Sequence, residues 1–284
     1  MKAIIFKLLA GVMLSIKDGF AKFLSSDLSV LQIAWARYFF AVAFVFSIMF
    51  FFFRKNLVWT DKPKLQLIRG LILLIANLLF FYSISIISLA KALTLAFIAP
   101  LVVTAFSPIF LGEKVGFKRW SAVIIGFIGS MVVIRPGFME INLASLAALG
   151  TGVTYGFYLI ITRKLSSSDN PLLTLLLTGV VGVIIYSFFV MPFVWVKPTL
   201  NQWSMMAAIG IFACIGHLFI ILSLKYEDAS KLAPLSYFEI VTMIIVGYYF
   251  FNDLPDKWTF LGLFIIILSG IYISRRENIV KEPE

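Results

Sequence analysis

The chain has 284 residues, of which 61% are hydrophobic and only 13% charged, with a mean hydropathy of +1.02 and a formal net charge of +10. A soluble domain carries roughly a quarter charged residues, so an ordinary water-soluble fold is excluded. One cysteine, Cys214, and one histidine, His217, exclude a disulfide framework and a thiolate or histidine-rich metal centre.

Apolar stretches of about 18–26 residues recur along the chain, the length that spans ~30 Å of hydrocarbon at ~1.5 Å per residue. Ten are predicted, at roughly 3–24, 28–53, 66–88, 90–111, 119–136, 144–164, 171–195, 203–224, 231–251 and 258–274. Their length and lack of alternation fit self-satisfied helices and not barrel strands, so the expected fold class is an all-α membrane protein. The first stretch lacks a small-residue cleavage site and is interrupted by Lys17-Asp18, which reads as a retained span and not a cleaved signal.

Taken in chain order, the spans carry a sparse set of polar and aromatic residues. In the first, Asp18 and Lys22 are four apart on one helix face and are placed to pair, while Lys17 points about a hundred degrees away. Asp18 reads either as a substrate contact or as a structural partner; Lys22 is close enough to the outer end to snorkel. In the second span, Trp35 offers a stacking face. Arg37, deeper, reads as a substrate contact or as a clamp on backbone carbonyls or on Asp18. Asn77 follows in the third span, and Pro100 in the fourth, where a missing backbone donor predicts a kink and a hinge. Gly126 and Gly129 in the fifth, with Gly262 in the tenth, suit close helix packing. Tyr155 and Tyr158 in the sixth are placed to line a cavity. His217 in the eighth sits where its charge could change near physiological pH in a proton-coupled carrier, or where it simply bonds a neighbouring helix. The ninth holds a second hinge candidate, Pro234, then Tyr237 and Glu239. An ionisable group inside a bilayer costs about 2.5–3.5 kcal/mol on insertion scales. Glu239 is therefore read as a cavity carboxylate for a cationic or hydrogen-bonding substrate group or for a coupled proton, against the alternative of a structural partner for Lys17 or Arg37.

Shifting residues 70–130 by 140 positions lays Gly70 on Gly210, Asn77 on His217, Ser83 on Ser223, Lys91 on Lys231, Glu113 on Asp253 and Ser130 on Gly270. At an offset of 142, Lys22-Phe-Leu-Ser-Ser-Asp27 matches Lys164-Leu-Ser-Ser-Ser-Asp169. The chain thus reads as two copies of one unit: 1–136, a linker at 137–143, a second copy at 144–275 and a tail at 276–284. With the N-terminus cytoplasmic and loops assigned alternately, inside segments hold seventeen lysines and arginines and outside loops four. That asymmetry puts both termini in the cytoplasm and explains the basicity without nucleic acid. Five spans per copy then force the second copy to enter the membrane inverted. Inverted repeats give two near-equivalent conformations, one open to each side.

The run Leu89-Ala-Lys-Ala-Leu-Thr-Leu-Ala-Phe-Ile-Ala-Pro-Leu101, followed by Gly112-Glu113 and a glycine-containing span, resembles the EamA unit of the drug/metabolite transporter superfamily, as does its echo in the second half. The likeness covers nearly all of residues 1–275. It implies a ten-span carrier with spans 1–4 and 6–9 around a central cavity and spans 5 and 10 more peripheral. Asp18, Lys22-Phe-Leu, Arg37 in Ala-Arg-Tyr-Phe-Phe, Ala233-Pro-Leu-Ser-Tyr-Phe-Glu239 and Phe251-Asn-Asp-Leu-Pro-Asp256 are similar to uptake members of that family, among them bacterial S-adenosylmethionine and riboflavin carriers.

The expected function is secondary transport of a small organic metabolite, in the uptake direction for a planar ring-containing compound; export of amino acids or related metabolites is the alternative. No cofactor is expected. The expected partners are the substrate and the bilayer of a bacterial inner membrane, with homodimerisation left open. A membrane-embedded enzyme lacks a Cys/His or Ser/His/Asp grouping, and an ATP-driven pump lacks a phosphate-binding loop. A channel fits less well than a carrier with mid-span charges of both signs. The loop charges generate a direct test. Single cysteines at Lys2, Lys257 and Glu284 are expected to react with an impermeant thiol reagent from outside only at position 257; labelling of either terminus from outside overturns the topology.

Overall fold

A peptide group in hydrocarbon has no water to bond, so an apolar run must close its hydrogen bonds on itself. Every regular element among the described residues is accordingly an α-helix. The structure, a computed structural model, describes residues 2–52, 60–111, 116–134, 142–165, 169–190, 192–226, 235 and 238–281. The helices are α1 (Lys2–Leu24), α2 (Val30–Phe52), α3 (Pro63–Ile86), α4 (Leu89–Ala96), α5 (Ala99–Leu111) and α6 (Phe117–Ile134). They continue with α7 (Leu143–Leu165), α8 (Pro171–Val190), α9 (Leu200–Tyr226), α10 (Phe238–Phe251) and α11 (Lys257–Lys281).

Six stretches are long and apolar enough to cross a membrane: Val30–Phe51, Pro63–Ile86, Leu89–Phe106, Leu143–Thr162, Pro171–Val190 and Leu200–Ile220. Trp120–Val133, Phe238–Phe251 and Lys257–Ser269 are shorter apolar helices. Helix α1 belongs to neither group, because Lys7, Lys17, Asp18 and Lys22 break its apolar content. Large side chains such as Phe51, Ile109, Phe188 and Phe250 project outward, as a lipid-facing surface requires.

Local chemistry sets the helix boundaries. Pro63 opens α3 and Pro171 opens α8, where a missing N–H costs nothing. The Asn170 side chain accepts from Leu172 N at 2.9 Å, and Asp256 accepts from Thr259 N at 2.8 Å. Asn252 adopts φ 52°, the left-handed region that asparagine tolerates, and so ends α10. The expected fourth span is broken at Phe97-Ile98 into α4 and α5. Pro100 therefore lies in the first turn of the second piece and not in a helix interior, a correction to the expected mid-helix kink. The break packs on α7 at Gly152, where an added Cβ would lie 2.7 Å from the Ala96 carbonyl oxygen.

The principal packing partners come in swapped couples. Helix α1 lies on α9, and α3 lies on α7; α2 lies on α9, and α3 on α8; α2 meets α8, and α6 meets α11. One end of the bundle gathers the Asp27 carboxylate with Gln202 Nε2 (3.0 Å) and Gln32 Nε2 with the Val196 carbonyl (2.7 Å). The opposite end gathers Asp169 with Thr60 (2.7 Å) and Gln66 (2.5 Å). The α6–α11 contact depends on absent side chains: a Cβ on Gly262 would lie 2.6 Å from the Gly129 carbonyl oxygen and would clash with Val133 Cγ2. Gly262→Val is expected to cost about 1–3 kcal/mol by overpacking, read as a lowered unfolding midpoint of the purified protein in detergent.

Candidate functional site

Helix α1 carries two charged layers. Lys17 and Asp18 form an ion pair with Nζ 2.6 Å from Oδ1, and both residues are buried. Adjacent helical residues do not face one another, and no well-angled hydrogen bond reaches Asp18 Oδ1. The expected Asp18–Lys22 pair does not form. Lys22 instead lies 2.6 Å from Asp253 Oδ2 and donates to the Ile87 carbonyl at 3.1 Å. The left-handed turn at Asn252 presents Asp253 to it, so one contact ties the ends of α1, α3 and α10. The reason is register: burial turns the Asp18 face into the bundle, while Lys22, one turn on, has reached the rim.

The deeper cluster is built on α2. Arg37 is 4% exposed, with Nη2 3.2 Å from His217 Nε2 on α9. A guanidinium only donates, so Nε2 must accept and the ring proton sits on Nδ1. The next residue, Tyr38, receives a hydrogen bond from Asn77 Nδ2 on α3 at 3.2 Å. Asn77 and His217, equivalent in the repeat, thus converge on neighbouring residues of one helix. Arg37 packs 4.5 Å from the centre of the Tyr38 ring, and its Nε is buried without a hydrogen-bond partner.

Sequence reading missed Arg69, which the topology count assigned to a cytoplasmic segment. Because α3 begins at Pro63, Arg69 falls in its second turn and is 1% exposed. Nε donates to Thr162 (2.8 Å), Nη1 to Thr178 (2.8 Å) and Nη2 to the Tyr158 hydroxyl (2.7 Å), while the Tyr158 ring lies 4.5 Å away. The signal was present: Leu67, Ile68, Leu71 and Ile72 flank it, and its repeat partner is apolar Ile209. The positive-inside bias survives its removal. Arg37, Arg69, Tyr38, Tyr158, Thr178 and His217 line one small cavity of about 30 Å³ between α2, α3, α7, α8 and α9.

The remaining candidates separate. Glu239 is half-buried at the start of α10, against Gly11 of α1, and Ser15 and Thr242 hydrogen-bond beside its backbone at 2.6 Å. Its carboxylate has no ion-pair partner among the described residues, although Lys7 and Lys17 lie within electrostatic reach. Tyr155 stacks on Tyr158 with ring centres 5.2 Å apart. Trp35 is held elsewhere, stacked on Phe39 (4.8 Å) with its indole N–H donated to Ser187 (2.8 Å). Tyr237 and Pro234 lie outside the described residues. A larger recess of about 420 Å³, lined by Leu31, Leu74, Leu78, Ile185, Tyr186 and Phe189 among others, contains no charged group and is remote in character from this chemistry. Among the described residues no group of three or more His, Cys, Asp or Glu is placed to hold a metal ion.

The profile of the EamA-like transporter family matches residues 1–135 and again 142–275. The chain belongs to the EamA-like transporter family. It is 27% identical over 271 residues to a Rickettsia bellii protein named S-adenosylmethionine uptake transporter, covering 95% of this chain and 92% of that one. It is 28% identical over 189 residues to a Vibrio cholerae riboflavin transporter, covering 66% and 63% respectively. A pseudopaline exporter of Pseudomonas aeruginosa is 25% identical over 217 residues, 75% of each chain. A crystal structure at 16% identity superposes with a TM-score of 0.69 over 99% of both chains, which establishes the fold alone. Family membership and the apolar helices together make this a multi-pass membrane transporter.

The buried pair on α1 yields a stability test. Lys17→Met strands the Asp18 charge and is expected to cost about 3–5 kcal/mol. The double variant Lys17→Met/Asp18→Asn is expected to recover most of that loss, as measured by thermal unfolding in detergent.

Proposed function

We propose that this EamA-family protein is a secondary carrier in a bacterial inner membrane, taking up a small ring-containing organic metabolite by alternating access. The observation that carries the reading is the convergence of polar side chains from both halves in an apolar bundle: Arg37 with His217, Tyr38 with Asn77, and Arg69 with Tyr158 and Thr178. Keeping such groups in a membrane interior is costly, and they characteristically mark a transport path.

Ten spans result when α4 and α5 count as one broken span. The repeat offsets, the swapped helix couples and the loops meeting at opposite ends support two five-span units of opposite orientation with both termini cytoplasmic. Two such units can exchange conformations about the pseudo-two-fold axis between them. In this reading Lys22–Asp253 closes the outer end. The 30 Å³ cavity holds about one water molecule. The site is therefore too tight for a metabolite as it stands, and in this reading one enters when the halves rock apart.

Stacked Tyr155 and Tyr158 offer flat faces, Glu239 offers a carboxylate with no ion-pair partner among the described residues, and Arg37 offers a fixed cation. That combination favours a planar ring joined to a charged or polar tail. The relatives named for S-adenosylmethionine and riboflavin support the same class, and the one named for S-adenosylmethionine uptake supports that direction. The exporter relative keeps a second reading in play, export of amino acids or related metabolites.

Counterflow in proteoliposomes tests the proposal. Internal S-adenosylmethionine or riboflavin is expected to accelerate entry of the labelled compound, and leucine is not. Equal acceleration by leucine would favour the amino-acid reading, and none by any of the three would remove all these substrates. Among the described residues Glu239→Gln leaves no base unpaired within bonding distance, so it is expected to fold normally and lose about 10–100-fold in exchange rate, the value of one charge-assisted hydrogen bond.

A further inference from the structure

Two buried cations have no counter-ion among the described residues. Among the described residues the ion pairs are Lys17–Asp18 and Lys22–Asp253, and neither contains an arginine. A lysine or histidine in a dry site can shed its proton and become neutral; arginine cannot. Arg37 at 4% exposure and Arg69 at 1% therefore keep full charges in the interior of the bundle. Desolvating one such ion costs several kcal/mol, and hydroxyl dipoles return only part of that.

Their partners hold them rather than neutralise them. Three neutral hydroxyls, from Thr162 and Tyr158 of α7 and Thr178 of α8, fix the Arg69 guanidinium through all three of its nitrogens. His217 fixes one end of Arg37 and the Tyr38 ring supports its face, leaving Nε, a buried donor, with no hydrogen-bond partner among the described residues. Both arginines line the same cavity, whose other walls include Leu73, Leu175 and Ala213. A rigid, doubly cationic wall with an idle donor and an apolar surround is a receptor for a planar oxyanion attached to an organic body.

We propose that Arg37 and Arg69 form the subsite for a carboxylate of the transported metabolite. The proposal rests on the carrier reading above and narrows its substrate class to compounds bearing a carboxylate. Planar carboxylate oxygens match the guanidinium fork, and the apolar lining suits the carbon chain behind them. Tyr155, beside Tyr158, lies within electrostatic reach of Glu239 as well as of both arginines, so a ligand anchored at the arginines has a negative pole within the same interior for a cationic group.

The test uses purified full-length protein in detergent, with the unfolding midpoint followed at constant ionic strength while sodium benzoate is titrated. Benzamide, the neutral isostere, and inorganic phosphate run in parallel. Benzoate is expected to stabilise saturably and benzamide to do nothing. Stabilisation by phosphate but not benzoate would overturn the carboxylate assignment in favour of a phosphate site. An equal response to benzoate and benzamide would overturn the anion site altogether. Arg37→Gln is expected to raise the half-saturating benzoate concentration by about tenfold or more. Arg37→Lys, which keeps the charge without the fork, is expected to weaken it several-fold; an unchanged response in either variant refutes the assignment. The wild-type comparison of benzoate with benzamide stands even if both variants fail to fold. Counterflow of S-adenosylmethionine, which bears a carboxylate, judges the carrier reading separately. Riboflavin, which bears none, is expected to give no counterflow, and counterflow of riboflavin would overturn the carboxylate subsite while leaving the carrier reading intact.

Discussion

A guanidinium inside a bilayer cannot be neutralised and must be held, and the rest of this bundle is arranged around that constraint. Arg69 draws hydroxyls from α7 and α8 onto α3, while Arg37 draws the α9 histidine onto α2. With the Asn77–Tyr38 bond between α3 and α2, polar contacts commit five helices to one another. Hydrocarbon gives apolar helices little reason to prefer one neighbour over another, since lipid tails are as apolar as leucine side chains. Directional bonds to fixed charges, and close approaches such as Gly129 on Gly262, supply the preference instead.

The same constraint explains the distribution of ion pairs. Asp18 deep in α1 is compensated by its own neighbour Lys17, although adjacent helical positions give poor alignment. At the rim, where headgroups and water relieve desolvation, Lys22 pairs freely with Asp253 and also closes α1 against α10. Contacts at the rim are inexpensive to break and suit a moving boundary; a contact in the middle is costly to break and suits a fixed frame. Glu239, half-buried and without an ion-pair partner among the described residues, lies at the α1–α10 contact against Gly11.

Duplication adds a second layer of order. Asn77 and His217 occupy matched positions, and each reaches α2 from its own half, one through Tyr38 and the other through Arg37. The matched positions have diverged chemically, amide against imidazole, and Arg69 faces an isoleucine in the other copy. The two halves thus share a frame but place different groups at matched positions: His217 and Arg69 line the cavity, and their counterparts Asn77 and Ile209 are not among its lining residues.

Hydropathy and length in the sequence determined an all-helical membrane protein, because a backbone in hydrocarbon has few alternatives and each residue reports its own transfer cost. The offset of 140 determined the duplication, and the residues around Leu89–Leu101 and Gly112-Glu113 pointed to the family that the profile match establishes. Arg37 and His217 were legible as candidates because a charge or imidazole stands out in an apolar run. Their bond to each other was not, since 180 positions separate them and only packing fixes which helix faces meet. Arg69 was hidden by its proximity to Lys62 and Lys64, and it was exposed as interior only once Pro63 was seen to begin the helix. The exchange of Asp18–Lys22 for Asp18–Lys17 and Lys22–Asp253 was likewise beyond local spacing. A spacing of four says which residues share a face, while the depth of that face in the bundle decides whether they find each other, a neighbour or another helix.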